Sequence, residues 1–464
     1  MAGQFATQRR TRRRSGFVLP CAMIAVALII LFVAIGHYPG GDSPQPQPPQ
    51  LQEQPASSAP DSAPPTTPPT EPPVVKLNTA TIGATGDLLL HDKVIKSGYD
   101  SATDVYNYDN IFTYFSAYAS KVDYAVANLE VTLCGDDNGY PYKGYPCFNA
   151  PDAIVDAAKK AGFDLFLTAN NHSFDTGTKG FFRTQQVLAD RGVEHIGTRE
   201  NEEDKNYIIK EINGIRIGMI CYTYNTGVDE NGKVSLNGMP LTTEASSLIN
   251  SYNYSNLESF YSKLDGELAQ MRSEGAEALM LYIHWGDEYH IEANSTQKKM
   301  AQALCDLGID VIVGNHAHVP QPVELLTNTV NESKKTLCLY STGNAISNIR
   351  RGPSYPAESE DGMLFSVTFA KYSDGTVIVE GADILPTWVN RYEEGGKSRF
   401  CILTLEDARR DSWQSDMGLS NEILKECVDS CDRTMAIVGQ GMEAANNYFA
   451  KNQIATEEKL GIAQ

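Results

Sequence analysis

Residues Asp164–Gly177 read DLFLTANNHSFDTG, a short apolar run followed by a polar island around His172 that closes on Asp175 and Gly177. The run Asp164–Thr168 is too short and too bulky to favour an isolated helix, so it predicts a buried strand with the island at its carboxyl end. The same grammar recurs. Ala278–Ile283 (ALMLYI) leads into His284-Trp285-Gly286, and Asp310–Val313 (DVIV) leads into Gly314-Asn315-His316-Ala317-His318. Ala80–Thr85 (ATIGAT) stops at Gly86-Asp87, and Val122–Ala127 (VDYAVA) stops at Asn128-Leu129-Glu130. Ligands of open α/β sheets bind outside the carboxyl ends of the strands, so five such ends can aim polar groups at one place. The convergent set is Asp87, Glu130, Asn171, His284, His316 and His318.

Imidazole nitrogens mixed with carboxylate and amide oxygens suit a divalent transition metal, Mn, Fe or Zn, better than Mg or Ca. One or two ions are expected. Two neighbouring ions sharing a carboxylate supply a nucleophile from water near neutral pH and clamp the oxygens of an in-line displacement, which points to phosphoester hydrolysis. The i, i+2 spacing of His316 and His318 puts both on one side of an extended segment. Asp87 after Gly86 also suits a turn, and Asp175 also suits a cap on a helix from Thr178. His91, His195 and His290 stand alone and read as structural or exposed, with His91 in reserve as the histidine nearest Asp87.

The series GD, NLE, NNHSFDTG, HWG, GNHAHVPQ and STGN resembles, in order and spacing, the CapA family of poly-γ-glutamate capsule biosynthesis proteins, over roughly Thr81 to Pro386. Asn171–Gly177 is also similar to the Asn-His-Glu-Phe-Asp-x-Gly signature of calcineurin-like metallophosphoesterases and 5′-nucleotidases. The resemblance implies that Asn171, His284, His316 and His318 are metal ligands, with Asp87 the first-strand ligand and Glu130 the bridging carboxylate. It makes His172 the general acid, with Asp175 holding its other ring nitrogen. It also sets Asn344, in the STGN motif, near the active site, while Arg350 and Arg351 are candidate contacts for a substrate anion. Two departures stand out. Phosphoesterases of this class carry Asp-x-His where this chain has Asp87-Leu88-Leu89, and Asp where it has Glu130.

The first 76 residues carry no such chemistry. Five arginines among residues 9–14 precede Phe17–Ile35, nineteen residues without a charge, which is the length of one membrane-spanning helix. The positive flank places residues 1–16 in the cytoplasm as a basic arm and everything beyond the anchor at 17–36 outside the cell. Residues 37–76 hold 13 of the 23 prolines and build no core, so they predict an extended linker. Residues 77–400 are expected to form an α/β fold, the metallophosphatase-type four-layer sandwich of two mixed β-sheets flanked by helices, preceded by that one transmembrane helix. Residues 401–464 are expected as a helical extension, and Asn225–Asn253 as a long loop, lid or insertion.

The formal net charge is −20, about −25 without the N-terminal arginines, so the surface repels nucleic acid and anionic headgroups. Cys134 and Cys147 flank a Gly- and Tyr-rich loop that a disulfide would rigidify, and Cys427 and Cys431 stand one helical turn apart. The expected function is a single-pass membrane protein, its large domain extracellular, acting as a metal-dependent hydrolase in synthesis or export of poly-γ-glutamate or a related anionic polymer. The alternatives are a non-catalytic, polymer-binding scaffold beside the membrane subunits of a capsule synthase, and a secreted nucleotidase-like phosphoesterase.

Overall fold

A computed structural model describes residues 74–461 except 138, 230–232 and 406–417. The expected arm, anchor and linker lie outside the described residues, and among the described residues no helix is long and apolar enough to cross a membrane.

Among the described residues fifteen strands form two large sheets. The first sheet starts with β1 (Lys76–Leu88), β2 (Tyr124–Leu129), β3 (Leu165–Leu167) and β4 (Glu194–Ile196), all parallel. The second sheet holds β5 (Tyr207–Ile212), β6 (Ile215–Tyr224), β7 (Ser251–Tyr252), β8 (Ala278–His284), β9 (Val311–Asn315), β10 (Val323–Thr327) and β11 (Lys335–Leu339). There β7, β6, β8, β9 and β11 run parallel, with β5 and β10 antiparallel at its margins. The chain then returns to the first sheet with β12 (Asn344–Ile346), parallel to β1, and an antiparallel meander of β13 (Asp361–Tyr372), β14 (Val377–Glu394) and β15 (Lys397–Thr404).

Side-chain alternation turns these sheets into layers. Ala80, Ile82, Ala84, Tyr124 and Val126 of the first sheet meet Met219, Met280, Tyr282, Val311 and Val313 of the second in one apolar core. The intervening residues face outward. Ala125, Ala127 and Phe166 pack on helix α2 (Ala153–Ala161), while Leu279, Leu281 and Ile312 pack on α4 (Leu257–Ser273) and α5 (Ser295–Asp306). Helix α3 (Gly177–Asp190) follows the His172 island, and α1 (Asp92–Gly98) follows β1. The result is a helix–sheet–sheet–helix sandwich, as the alternating sequence pattern predicts.

Four expectations need correction. The boundary at residue 400 cuts β15, which continues to Thr404 because its whole length pairs with β14. Helix α6 (Asn421–Lys459) is no appendage: Val438, Met442, Ala445 and Phe449 enter the core between the sheets. Asn225–Asn253 is not mainly loop, since it contains a three-stranded sheet spanning residues 227–240 and a short helix, Thr243–Leu248, capped by Thr242. The expected disulfide across the Cys134–Cys147 loop is not formed, since Cys147 is a free thiol, and Cys427 is a free thiol as well.

Helix α6 docks by close backbone approach. A Cβ on Gly441 would stand 1.9 Å from the carbonyl oxygen of Val323 in β10, whereas one on Gly439 would meet only Met435 at 3.7 Å. Alanine exceeds glycine by about 0.8–1 kcal/mol in helix propensity. Gly439→Ala is therefore expected to be neutral or stabilising. Gly441→Ala is expected to lose about 1–3 kcal/mol through forced separation of helix and strand. Urea denaturation of the two variants checks the contrast; equal effects would refute this docking.

Candidate metal centre

The site is the polar continuation of the core between the sheets. On β2 the inward row Tyr124 and Val126 runs on to Asn128 and, past the strand, to Glu130; on β8 Met280 and Tyr282 run on to His284; on β9 Val311 and Val313 run on to Asn315. β1 needs a correction to join them. Its register shifts between Thr85 and Asp87, which turns Asp87 to the inner face and leaves Leu88 in the outer cluster. Gly86 makes this feasible, since any Cβ there would stand 1.9 Å from the Gly343 carbonyl oxygen. Asp87 then lies opposite both Asn128 and Asn344 in neighbouring parallel strands.

These side chains are held close together and away from water. Asp87 and Glu130 are 0 % exposed. Asp87 Oδ1 accepts from Asn128 Nδ2 at 2.7 Å and Asn315 Nδ2 at 3.1 Å, and its Oδ2 lies 3.0 Å from His318 Nδ1. Glu130 Oε1 is 3.4 Å from His284 Nε2 and 3.8 Å from His318 Nε2, while Asn128 Nδ2 reaches Oε2 at 3.4 Å. Asn171 Oδ1 sits 2.9 Å from His284 Nε2. His316 Nε2 faces the Tyr224 hydroxyl at 3.2 Å. His316 and His318 adopt φ of 95° and 55°, a left-handed backbone that non-glycine residues avoid and that functional sites sustain.

Two groups of donors lie within 4.8 Å of one another, Glu130 with His316 and His318, and Asp87 with Glu130 and His284. Glu130 belongs to both. Among the described residues the ion-pair partners of the two carboxylates are histidines. Glu130 Oε1, His284 Nδ1 and His316 Nδ1 are buried without a hydrogen-bond partner. Burial, then the charge of Asp87, pushes the Glu130 carboxyl well above the usual range. Burial, then neighbouring histidines, holds His284 and His316 well below the ordinary imidazole value. For His318 burial acts against protonation, but the hydrogen bond and charge of Asp87 win and raise it. Neutral imidazoles and a carboxyl lacking a counter-charge are the state that a bound cation would relieve. The residues fit one or two divalent transition ions.

A second pair stands beside this cluster. His172 Nδ1 is 2.7 Å from Asp175 Oδ2, which also accepts from the Phe148 amide at 2.6 Å. The shared proton therefore sits on Nδ1, leaving Nε2 to face a ligand. Phe148 packs edge-on against the His172 ring, centroids 4.7 Å apart. Asn237, from the small sheet of residues 227–240, brings its Nδ2 within 3.4 Å of the same Nδ1.

Residues 81–349 match the family described as bacterial capsule synthesis protein PGA_cap. The chain belongs to that family. It is 26% identical over 277 residues to the capsule biosynthesis protein CapA of Bacillus anthracis, covering 57% of this chain and 59% of that one. It is 25% identical over 263 residues to the PGA biosynthesis protein CapA of Bacillus subtilis (strain 168), covering 56% and 61%. The match thus spans about three-fifths of either relative. A Staphylococcus aureus protein described as a 5′-nucleotidase, crystallised with α-ketoglutarate, aligns with a TM-score of 0.41 at 13% identity, covering 67% of this chain and 54% of that one.

In this PGA_cap chain the structure gathers Asp87, Glu130, Asn171, His284, His316 and His318, with His172 and Asp175 adjoining. Asn344 is present too, but as a support: its Oδ1 lies 3.1 Å from His318 Nδ1 and its Nδ2 donates to the His318 and Ser359 carbonyls. Arg350 and Arg351 are engaged elsewhere. Arg350 donates to the Val389 carbonyl and pairs with Glu360 at 3.5 Å, and Arg351 pairs with Glu426 of α6 at 2.7 Å. Sequence reasoning missed the amides of Asn128 and Asn315, although both lay inside the quoted islands at inward-facing positions. It also missed Tyr224, Phe148 and Asn237, which no local pattern marks. His91, set aside as structural, is half-buried beside the cluster and pushed down to about 4 by burial, then by the charge of His318.

The raised Glu130 carboxyl has a measurable sign. Its stabilising contribution in the metal-free protein is complete below the unfolded-state pKa and is lost as pH rises through the raised folded-state value. Metal-free Glu130→Gln is therefore expected to melt above metal-free wild type at pH 8, with the difference fading toward pH 4. Ligand at 100 times Kd should add about 2.7 kcal/mol to the wild type and nothing to the variant. Melting curves with zinc and with chelator test both statements; a variant stabilised by zinc like the wild type would remove Glu130 from the centre.

Proposed function

We propose that this PGA_cap member is a membrane-anchored, extracytoplasmic protein of capsule polymer synthesis or export, acting as a metal-dependent hydrolase on a phosphoester-type bond. The observation that carries the reading is Glu130, shared by two buried donor groups, with the His172–Asp175 pair alongside. Asp87, Glu130, Asn171, His284, His316 and His318 would hold the metal. A bound divalent ion supplies Lewis-acid polarisation and lowers the pKa of water. The chain supplies the rest. Asn128 and Asn315 fix the carboxylate of Asp87, and Asn344 fixes the ring of His318. Asp175 holds the Nδ1 proton of His172, so that Nε2 can deliver a proton to the leaving oxygen.

The names of the curated relatives support capsule polymer, poly-γ-glutamate in one case, as the material handled. Anchoring rests on the uncharged run Phe17–Ile35 behind its arginines. The net charge of −20 makes a polyanion an unwelcome guest unless the site is loaded with cations.

A scaffold role within a membrane synthase is the second reading, favoured by Leu89. It occupies the place of the Asp-x-His histidine and is buried in the apolar cluster outside the first sheet, leaving one fewer ligand. Metal content and phosphodiester hydrolysis, measured on the chain from Leu77 onward, separate the two. For the enzyme, His316→Ala is expected to lose metal, and His172→Ala to keep metal while turnover falls about 10²–10⁴-fold. Hydrolysis unaffected by His172→Ala, or a metal-free wild type without turnover, would favour the scaffold.

A further inference from the structure

Three exposed tyrosines stand one ring away from histidines of the centre. Tyr145 is 72 % exposed and meets Phe148 at 6.5 Å between ring centroids, and Phe148 meets His172 at 4.7 Å. Tyr355 is 38 % exposed and meets Tyr289 at 4.8 Å, and Tyr289 meets His318 at 5.9 Å. Tyr254 is 37 % exposed and meets Tyr224 at 5.8 Å, and Tyr224 meets His316 at 5.0 Å. The topology puts all three at the end of the sandwich where the centre lies. Tyr145 follows β2, Tyr254 follows β7 and Tyr355 follows β12, each a parallel strand of its sheet.

These rings are held as platforms. The Tyr289 amide donates to the Ala317 carbonyl at 2.7 Å, and the Tyr254 hydroxyl accepts from the Gly286 amide at 3.1 Å. Among the described residues the three outer rings contact inner rings rather than one another, so they offer separate faces instead of one slot. The polar groups beside them are neutral or acidic. Asn237 is exposed with its Nδ2 3.4 Å from His172 Nδ1, and the exposed Glu288 adjoins Tyr289 in the chain. Arg350 and Arg351, by contrast, are paired with Glu360 and Glu426. Aromatic faces carry partial negative charge and attract the polarised C–H bonds of a pyranose face, while carboxylate and carboxamide groups bind its hydroxyls. A chain of carboxylates would be repelled by the same acid. A single nucleobase would use one platform of the three.

We infer that the mouth of the centre binds the sugar part of a glycosyl phosphoester, with the phosphate at the centre and pyranose faces on Tyr145, Tyr254 and Tyr355. The inference rests on the phosphoester reading above and adds the substrate class. Asn237 and Glu288 take the sugar hydroxyls at the edges of these platforms.

The test is calorimetry on the zinc-loaded full chain with inorganic phosphate, glucose 1-phosphate, N-acetylglucosamine 1-phosphate, adenosine 5′-monophosphate and tetra-γ-glutamate as probes. At least one sugar phosphate is expected to bind about tenfold or more tighter than inorganic phosphate, the gain of one aromatic platform, and tighter than the nucleotide or the peptide. With ¹³C-labelled tyrosine rings, that sugar phosphate is expected to shift resonances of the exposed rings that inorganic phosphate leaves in place. The ratio of the two affinities is expected to collapse when Tyr145→Ala, Tyr254→Ala and Tyr355→Ala are combined, and to be retained with Trp at the same three positions. Sugar phosphates no tighter than inorganic phosphate, rings unmoved by them, a ratio kept in the alanine variant, or a larger gain for the nucleotide or the peptide would overturn the inference alone. A wild type that takes up neither phosphate nor any phosphoester would overturn the phosphoester reading and this inference with it.

Discussion

Two carboxylates, Asp87 and Glu130, are buried completely at the strand ends of one sheet, with histidines as their ion-pair partners. Removing such groups from water costs several kcal/mol each unless charge or hydrogen bonds compensate. Asp87 is compensated by two asparagine amides and His318. Glu130 is less so: one of its oxygens has no hydrogen-bond partner, and its carboxyl resists ionisation. The surrounding architecture therefore has to hold an unfavourable arrangement in place, and much of it serves that end. The register shift at Gly86, the left-handed backbone at His316 and His318, and the asparagines at the ends of β2 and β9 each position a group in this cluster.

The sandwich gives the leverage for this. Both sheets send their parallel strands to the same end of the core, and the inward-facing row of each strand changes there from apolar to polar without changing direction. A hydrophobic core so closely packed does not relax to let Glu130 reach solvent. The destabilised centre is thus carried by the apolar surface between the sheets and by α6, whose Val438, Met442 and Phe449 complete that core. Stability lies in the layers and strain at their rim, the distribution expected of a functional site.

That division explains what could be read in the sequence. Strand runs followed by polar islands are local signals, so β1, β2, β3, β8 and β9 and the residues at their ends were legible, and period-two alternation fixes which of those residues face inward. Asn128 and Asn315 obeyed the same alternation and were legible in principle. The Val389 that engages Arg350, the Glu426 that engages Arg351, and the Asn237 that reaches His172 belong to distant segments. Their contacts depend on tertiary closure that no window of sequence contains. The tail was misjudged for the same reason: an amphipathic helix reads alike whether its apolar face covers a surface or enters a core.

The departures from the metallophosphoesterase pattern can be read physically. Leu89 in place of a histidine removes a nitrogen from the first strand and places an apolar side chain in the outer cluster. Glu130 in place of an aspartate is longer by one methylene, on the order of 1.5 Å. From just past β2 this one carboxylate lies 3.4 Å from His284 and 3.8 Å from His318, so the two donor groups share it. His91, four residues beyond Asp87, belongs to neither donor group among the described residues and so does not replace that ligand in this arrangement. The centre is thus narrowed at the Asp87 side and kept intact around Glu130 and the His316–His318 turn. That asymmetry would make the group of Glu130, His316 and His318 the stronger of the two places for a single ion.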